Sequence, residues 1–294
     1  MILAAAALAL AAQLPPAEEI LARAVSAQVT DDADHRVEFF RLALNLRERG
    51  ETPREVDVSV AYDGRRGGRV HLVLDDSARG GVRVEKGFDG PHYWAREQDG
   101  EPIELVGRDF AQDREAIDET LDLCEQLLVL FDLERLRARV KDLSAEEGTL
   151  TRRGVEVPHW ILRGRVLLAD RPRRFALWVD PVTGLPSRLA LSLPPTEAPA
   201  AGDEEPPPTP PEGTDGAWQE FDLSAYHDFP FLGTEEPQGR LLPRLVREYR
   251  RDPDGRRSEV RILELHEVQW RLPPRLRSFS AGPGRGGEDP AAGG

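Results

Sequence analysis

From Phe40 to Leu74 apolar side chains recur at every second position. Phe40, Leu42, Leu44 and Leu46 alternate with Arg41, Ala43 and Asn45. Val56, Val58, Val60 and Tyr62 alternate with Asp57, Ser59 and Ala61, and Val70, Leu72 and Leu74 continue the series. A period of two puts one set of side chains on one side of a strand, so each run predicts a strand with one buried face. The pairs Asp63-Gly64, Asp89-Gly90, Asp99-Gly100 and Asp254-Gly255 punctuate the chain. Both residue types tolerate the positive φ of tight turns, and the first half therefore predicts an antiparallel meander.

Two stretches break this rhythm. After Pro15-Pro16, the segment 17–28 carries Ile20, Leu21, Ala24 and Val25 at helical spacing. Between Asp109 and Leu143 a longer helical pattern appears, with Asp109 as the expected N-cap and a stripe of Ile117, Leu121, Cys124, Leu128 and Phe131. Asp132 is placed to restart the helix, with Leu133, Leu136, Val140 and Leu143 inward. The period of two then resumes at Trp160, Leu162, Val166 and Leu168, and at Phe175, Leu177 and Val179. The turn Asp180-Pro181-Val182-Thr183-Gly184 leads into Leu185, Leu189, Leu191 and Leu193, with Pro181 presetting φ and Gly184 suited to a left-handed position. Three more strands are expected over 221–226, 241–249 and 260–270, with a bulge near Ile262-Leu263 where the alternation slips. Residues 194–216, rich in Pro, Glu, Ala and Thr, predict a disordered insertion rather than a domain boundary. Residues 280–294 predict a disordered tail, leaving a single domain over 17–279.

Composition narrows the function classes. A net charge of −14 disfavours nucleic acid and anionic lipid surfaces, both of which require basic patches. The apolar, uncharged run 1–12 would span only about 18 Å as a helix, short of the roughly 30 Å hydrocarbon core. It fits the apolar part of a signal peptide, with small residues near Ala9–Ala12 for cleavage, and predicts a periplasmic or secreted protein; the bland alternative is a helix packed on the domain. Cys124 is the single cysteine, so no intrachain disulfide forms, and on an apolar helical stripe it reads as a small core residue. The six histidines show no metal-ligand spacing, no Gly-x-Ser-x-Gly elbow occurs, and no Gly-rich run has the phosphate-loop pattern. Asp252-Pro253-Asp254-Gly255 starts like a calcium loop, but Arg256 stands at the third acidic position and a turn is the better reading. No cofactor, metal or catalytic residue is expected, and a secreted hydrolase is disfavoured.

The order of leader, short helix, meander, helical cover and further meander resembles the bacterial outer-membrane lipoprotein carrier superfamily. The local similarity is strongest at Leu177-Trp178-Val179-Asp180-Pro181-Val182-Thr183-Gly184-Leu185-Pro186, with shorter matches at Glu18-Glu19-Ile20-Leu21 and Gly239-Arg240-Leu241-Leu242-Pro243. The resemblance implies an α+β fold: an antiparallel incomplete barrel (half-barrel) with a short N-terminal helix and a central helical cover. It also implies a non-enzymatic role in carrying or sensing the acyl chains of a lipid or lipoprotein.

In such a half-barrel the inward residues Phe40, Leu42, Leu44, Val58, Val60, Leu72, Leu74, Leu162 and Leu177, with Leu128 and Phe131 from the cover, are the expected acyl-chain contacts. A sixteen-carbon chain gains roughly 12 kcal/mol gross at about 0.8 kcal/mol per buried CH₂, before ordering costs. The competing reading is that the same residues pack on one another as an ordinary core. A second function remains open, an envelope module that binds and regulates another protein, with the acidic, proline-rich loop as its cue.

Overall fold

A computed structural model describes residues 14–29, 39–49, 53–64, 68–77, 80–98, 100–168, 171–193, 216–230 and 239–269. The expected leader, proline-rich insertion and tail lie outside these residues, apart from Gly216 at the end of the insertion.

The described residues form three helices, α1 (Ala17–Gln28), α2 (Ala111–Phe131) and α3 (Leu133–Arg139), and thirteen strands. The first six are β1 (Phe39–Glu48), β2 (Arg54–Asp63), β3 (Arg69–Asp75), β4 (Arg83–Phe88), β5 (Tyr93–Glu97) and β6 (Ile103–Glu104). After the helices come β7 (Lys141–Arg152), β8 (Val155–Leu168), β9 (Arg171–Val179), β10 (Pro186–Ser192), β11 (Trp218–Pro230), β12 (Gly239–Arg251) and β13 (Arg257–Gln269). All thirteen belong to one sheet in the order β6-β5-β4-β3-β2-β1-β13-β12-β11-β10-β9-β8-β7, with every pairing antiparallel. It is thus two meanders, β1–β6 and β7–β13, fused where the first strand pairs with the last. β6 and β7 are the two edges, so this α+β barrel is incomplete, as the resemblance implied.

Alternation decides which face each residue takes. Phe40 and Leu42 of β1, Val56 and Tyr62 of β2, Val70 of β3, Leu162 of β8, Leu177 of β9, Phe221 of β11 and Leu263 of β13 join one apolar cluster with the helices. On the other face, Glu220 and Asp222 of β11 alternate with Phe221 and Leu223 and are held by arginines. Glu220 receives Arg251 at 2.5 Å and Arg257 at 2.7 Å, and Asp222 receives Arg188 at 2.5 Å and Arg257 at 2.7 Å. A second charged knot on that face joins Glu85 to Arg96 at 2.5 Å and to His71 at 3.2 Å, with the His71 ring tilted against Trp94.

The turn after β9 forms as its residues dictate. Asp180 Oδ1 accepts the backbone N–H groups of Val182 and Thr183, and Gly184 takes φ +75°. A Cβ at Gly184 would also press on Ala27 at 3.2 Å, so the glycine serves both the turn and the seat of α1. Arg23 of α1 donates to the Val182 carbonyl oxygen at 3.1 Å and lies over the Trp160 ring.

Three local expectations are corrected. Asp109 is not the N-cap of α2: it sits in a short 3-10 turn, Arg108–Phe110, and α2 starts at Ala111 without a side-chain cap. Val140 and Leu143 are not helical, because α3 ends at Arg139 and the chain enters β7, an edge strand whose side chains are mostly exposed. The irregularity expected near Ile262-Leu263 is displaced by a few residues: both residues are buried, and the register shifts fall on either side, at Val260 and His266.

The last turn of α2 is buried on all sides, from Gln126 to Phe131. Its terminal carbonyls cannot reach water and are met by side chains. Gln28 donates to the Leu130 oxygen at 2.6 Å, and Arg240 donates to the Phe131 oxygen at 2.9 Å and pairs with buried Asp132 at 3.3 Å.

Arg240→Met removes the donor to the Phe131 carbonyl oxygen and the ion-pair partner of buried Asp132 and is expected to cost about 3–5 kcal/mol in urea unfolding, while Gln28→Ala costs about 1–3 kcal/mol. Val70→Asp places a carboxylate in the core and costs about 4 kcal/mol or more, against about 1–2 kcal/mol for His71→Asp, which trades a hydrogen bond for repulsion with Glu85. Burial lowers the His71 pKa below its ordinary 6.5, outweighing Glu85. Burial alone would raise the Glu85 pKa, but the bonds from Arg96 and His71 hold it below the usual 4.5. Both groups bind fewer protons folded than unfolded, so stability is full above about pH 6.5 and falls with acid, first through His71 and then through Glu85. Melts from pH 8 to 4 should show a smaller loss between pH 6.5 and 5 for His71→Gln than for the parent; equal losses would refute the assignment.

Candidate functional site

A cleft of about 1240 Å³ lies between α2 on one side and α3 with the ends of β7, β8 and β9 on the other. Its two walls carry opposite charge. Glu115, Asp118, Glu119, Asp122 and Glu125 of α2 line one wall. Their spacing of three and four residues places them on one helical face, turned away from the buried stripe of Ile117, Cys124 and Leu128. Arg135 and Arg139 of α3, Lys141 of β7, Arg165 of β8 and Arg171 of β9 line the other.

The floor is apolar. Leu121, Val140, Val166 and Leu167 line the cleft. Val166 belongs to the main core, and Leu121 and Val140 pack against it. The cleft therefore opens onto the surface of the sheet–helix interior. Tyr62, also in the lining, donates its hydroxyl to Glu125 in a short bond. Burial, reinforced by Glu125, pushes the Tyr62 phenol far above its ordinary range, so it stays a neutral donor. Tyr93 donates to Asp118 at 2.8 Å, and burial together with that bond pushes its pKa up to about 12. Lys86 pairs with Asp113 one turn earlier at 2.5 Å, so β4 and β5 tie down the outer half of α2.

One residue just behind the lining of this cleft, the cross-strand neighbour of Val166, was not anticipated from the sequence. Arg173 of β9 points to the interior side with Phe175 and Leu177, and its side chain is 3% exposed. Its Nη2 reaches Asp122 of the acidic wall at 3.3 Å, while Nε and Nη1 meet no acceptor.

The eleven expected acyl-chain contacts converge on one place. Phe40, Leu42, Leu44, Val58, Val60, Leu72, Leu128, Phe131, Leu162 and Leu177 are buried members of the main cluster, and Leu74 packs on its border. Phe40 stacks on Tyr62 and meets Phe131 edge-on at 5.8 Å between ring centres. None of the eleven lines the cleft; they lie in the apolar body of which its floor is a part. Cys124 is buried there too, and burial raises its thiol pKa, so it is a packed, unreactive side chain.

Among the described residues no group of three His, Cys, Asp or Glu side chains is arranged to hold a metal, and no helix is long and apolar enough to cross a membrane. A smaller hollow of about 380 Å³ lies around His159, whose Nδ1 faces the Val157 carbonyl oxygen at 2.9 Å.

No protein-family model and no curated protein matches this chain. Among solved structures, it is similar to a DUF1329 family protein from Desulfovibrio piger (TM-score 0.45, 13% identity, 87% of this chain and 92% of that one). It is also similar to a LolA superfamily protein from Nitrosomonas europaea (TM-score 0.40, 13% identity, 90% and 98%) and to an outer membrane lipoprotein-sorting protein domain from Vibrio parahaemolyticus (TM-score 0.42, 7% identity, 85% and 90%).

Proposed function

We propose that this protein is an exported, non-enzymatic binder of lipid or lipoprotein acyl chains, working in the periplasm or outside the cell. The observation that carries the reading is the cleft of about 1240 Å³ whose floor merges with the interior of an open half-barrel. Its size is that of a generous ligand site, and an apolar floor under charged lips is the surface an amphiphile needs. An acyl chain entering over Leu121, Val140 and Val166 meets the cluster around Phe40, Phe131 and Leu177. It gains room by displacing the all-round buried end of α2, which the interior otherwise packs against. Binding then exchanges side-chain contacts for acyl contacts, so net affinity is far below the gross burial energy. The acyl contacts in this reading are the eleven residues named above.

A second reading, a module that captures an envelope protein, draws on β7. This edge strand of twelve residues has β8 on one side only and offers a row of backbone groups for strand addition.

Gentle purification from the cell envelope followed by native mass spectrometry should find bound lipid, and the purified chain should exchange a fluorescent fatty acid. Val166→Trp, which fills the floor, is expected to weaken that exchange about tenfold, equivalent to about 1.4 kcal/mol, while Val182→Ala on an exposed turn leaves it unchanged. Absence of both bound lipid and exchange would end the carrier reading. Capture of a protein partner that is lost on deleting residues 194–216, with lipid exchange intact, would favour the second.

A further inference from the structure

The cleft pairs two walls of opposite sign over an apolar floor, and just behind its lining, beside Val166 and bonded to Asp122, sits an arginine whose charge is not fully met. Arg173 is 3% exposed, yet Nε and Nη1 have no acceptor, and its one partner, Asp122, is itself 47% exposed at 3.3 Å. Buried guanidinium donors without acceptors are costly, and native sites of this kind hold an acceptor the protein does not supply. Arg171, two residues along β9, and Arg165, already paired with Asp142, line the adjoining wall, so the missing acceptor is best an anionic oxygen. A plain anion would face Glu115, Asp118, Glu119 and Glu125 across the cleft and be repelled. A plain cation would leave Arg173 unmet. A molecule carrying both charges satisfies both walls, and the floor of Leu121, Val140, Val166 and Leu167 calls for an apolar tail on it.

We propose that this cleft seats the head group of a zwitterionic phospholipid of the phosphatidylethanolamine type. The phosphate lies against Arg173, supported by Arg171 and Arg165, and the ammonium lies against the acidic face of α2. The inference rests on the acyl-binding reading above and adds the head-group chemistry to it. Selectivity comes from the acidic wall, because phosphatidylglycerol offers the same phosphate and tails without the ammonium.

Calorimetric titration of the full chain with short-chain phosphatidylethanolamine, short-chain phosphatidylglycerol and glycerophosphoethanolamine tests it. The ethanolamine lipid should bind about tenfold more tightly than either of the others, a difference of about 1.4 kcal/mol. Arg173→Gln should lower its affinity by about that factor while the thermal melt confirms the fold, and the exposed pair R165Q/R171Q should weaken it in the same direction. E115Q/E119Q should erase the preference over phosphatidylglycerol. Equal binding of the two lipids, or wild-type affinity in Arg173→Gln, would overturn the proposal. Glycerophosphoethanolamine binding as tightly as the lipid would identify a soluble phosphoamine ligand and overturn the lipid assignment. If the chain exchanges fatty acid but shows no head-group preference, only this inference fails; if it exchanges none and binds no lipid, the acyl-binding reading fails first.

Discussion

The end of a helix is an awkward thing to bury, and this protein buries one in its centre. An α-helix leaves its last carbonyls without intrahelical donors, and inside an apolar body no water replaces them. Gln28 and Arg240 supply the donors from α1 and β12. Gln28 also accepts the Leu133 N–H at 3.4 Å, so a single amide bridges the break between α2 and α3. This small polar knot fixes where the cover enters the sheet, and with it the position of the acidic face of α2 across from the arginines. Remove it, and the cleft loses one wall while the core loses Leu127 to Phe131.

The sheet meets this cover with strict alternation, and both of its faces are occupied. Apolar residues turn inward, while the outer face is laced with arginine–carboxylate contacts, the densest around Glu220 and Asp222. The excess of negative charge is therefore not spread as bare acid over the strands. Part of it is neutralised in cross-strand pairs, and part is collected on α2, where it forms the acidic wall.

Much of this was legible in the amino-acid order. α1 occupies the segment that its period of three and four marked, and the β9–β10 hairpin follows from Asp180, Pro181 and Gly184. The inward faces of β1, β2 and β3 follow from a period of two. β7 was missed because it lies at the edge with exposed side chains on both faces, leaving no alternation to read in Lys141–Arg152. Ile262 broke the pattern because the outer face also buries apolar residues. The cleft was half visible: the acidic spacing from Glu115 to Glu125 and the pair Arg135 and Arg139 stand in the sequence beside the apolar stripe. Which strand ends would face them depends on the curvature of thirteen strands, and Arg173 acquires its meaning only when β9 is brought under α2.

β6 and β7 never pair with each other. A closed barrel has a circumference set by its strand number and stagger, and it can widen only by breaking a seam. Here the seam is already absent. The sheet can flatten or tighten by small changes of twist spread over twelve ladders, keeping every interstrand hydrogen bond while the enclosed volume changes. On the acyl-binding proposal, such a sheet would take its capacity from its curvature, and acyl chains of different girth would need only different degrees of bend.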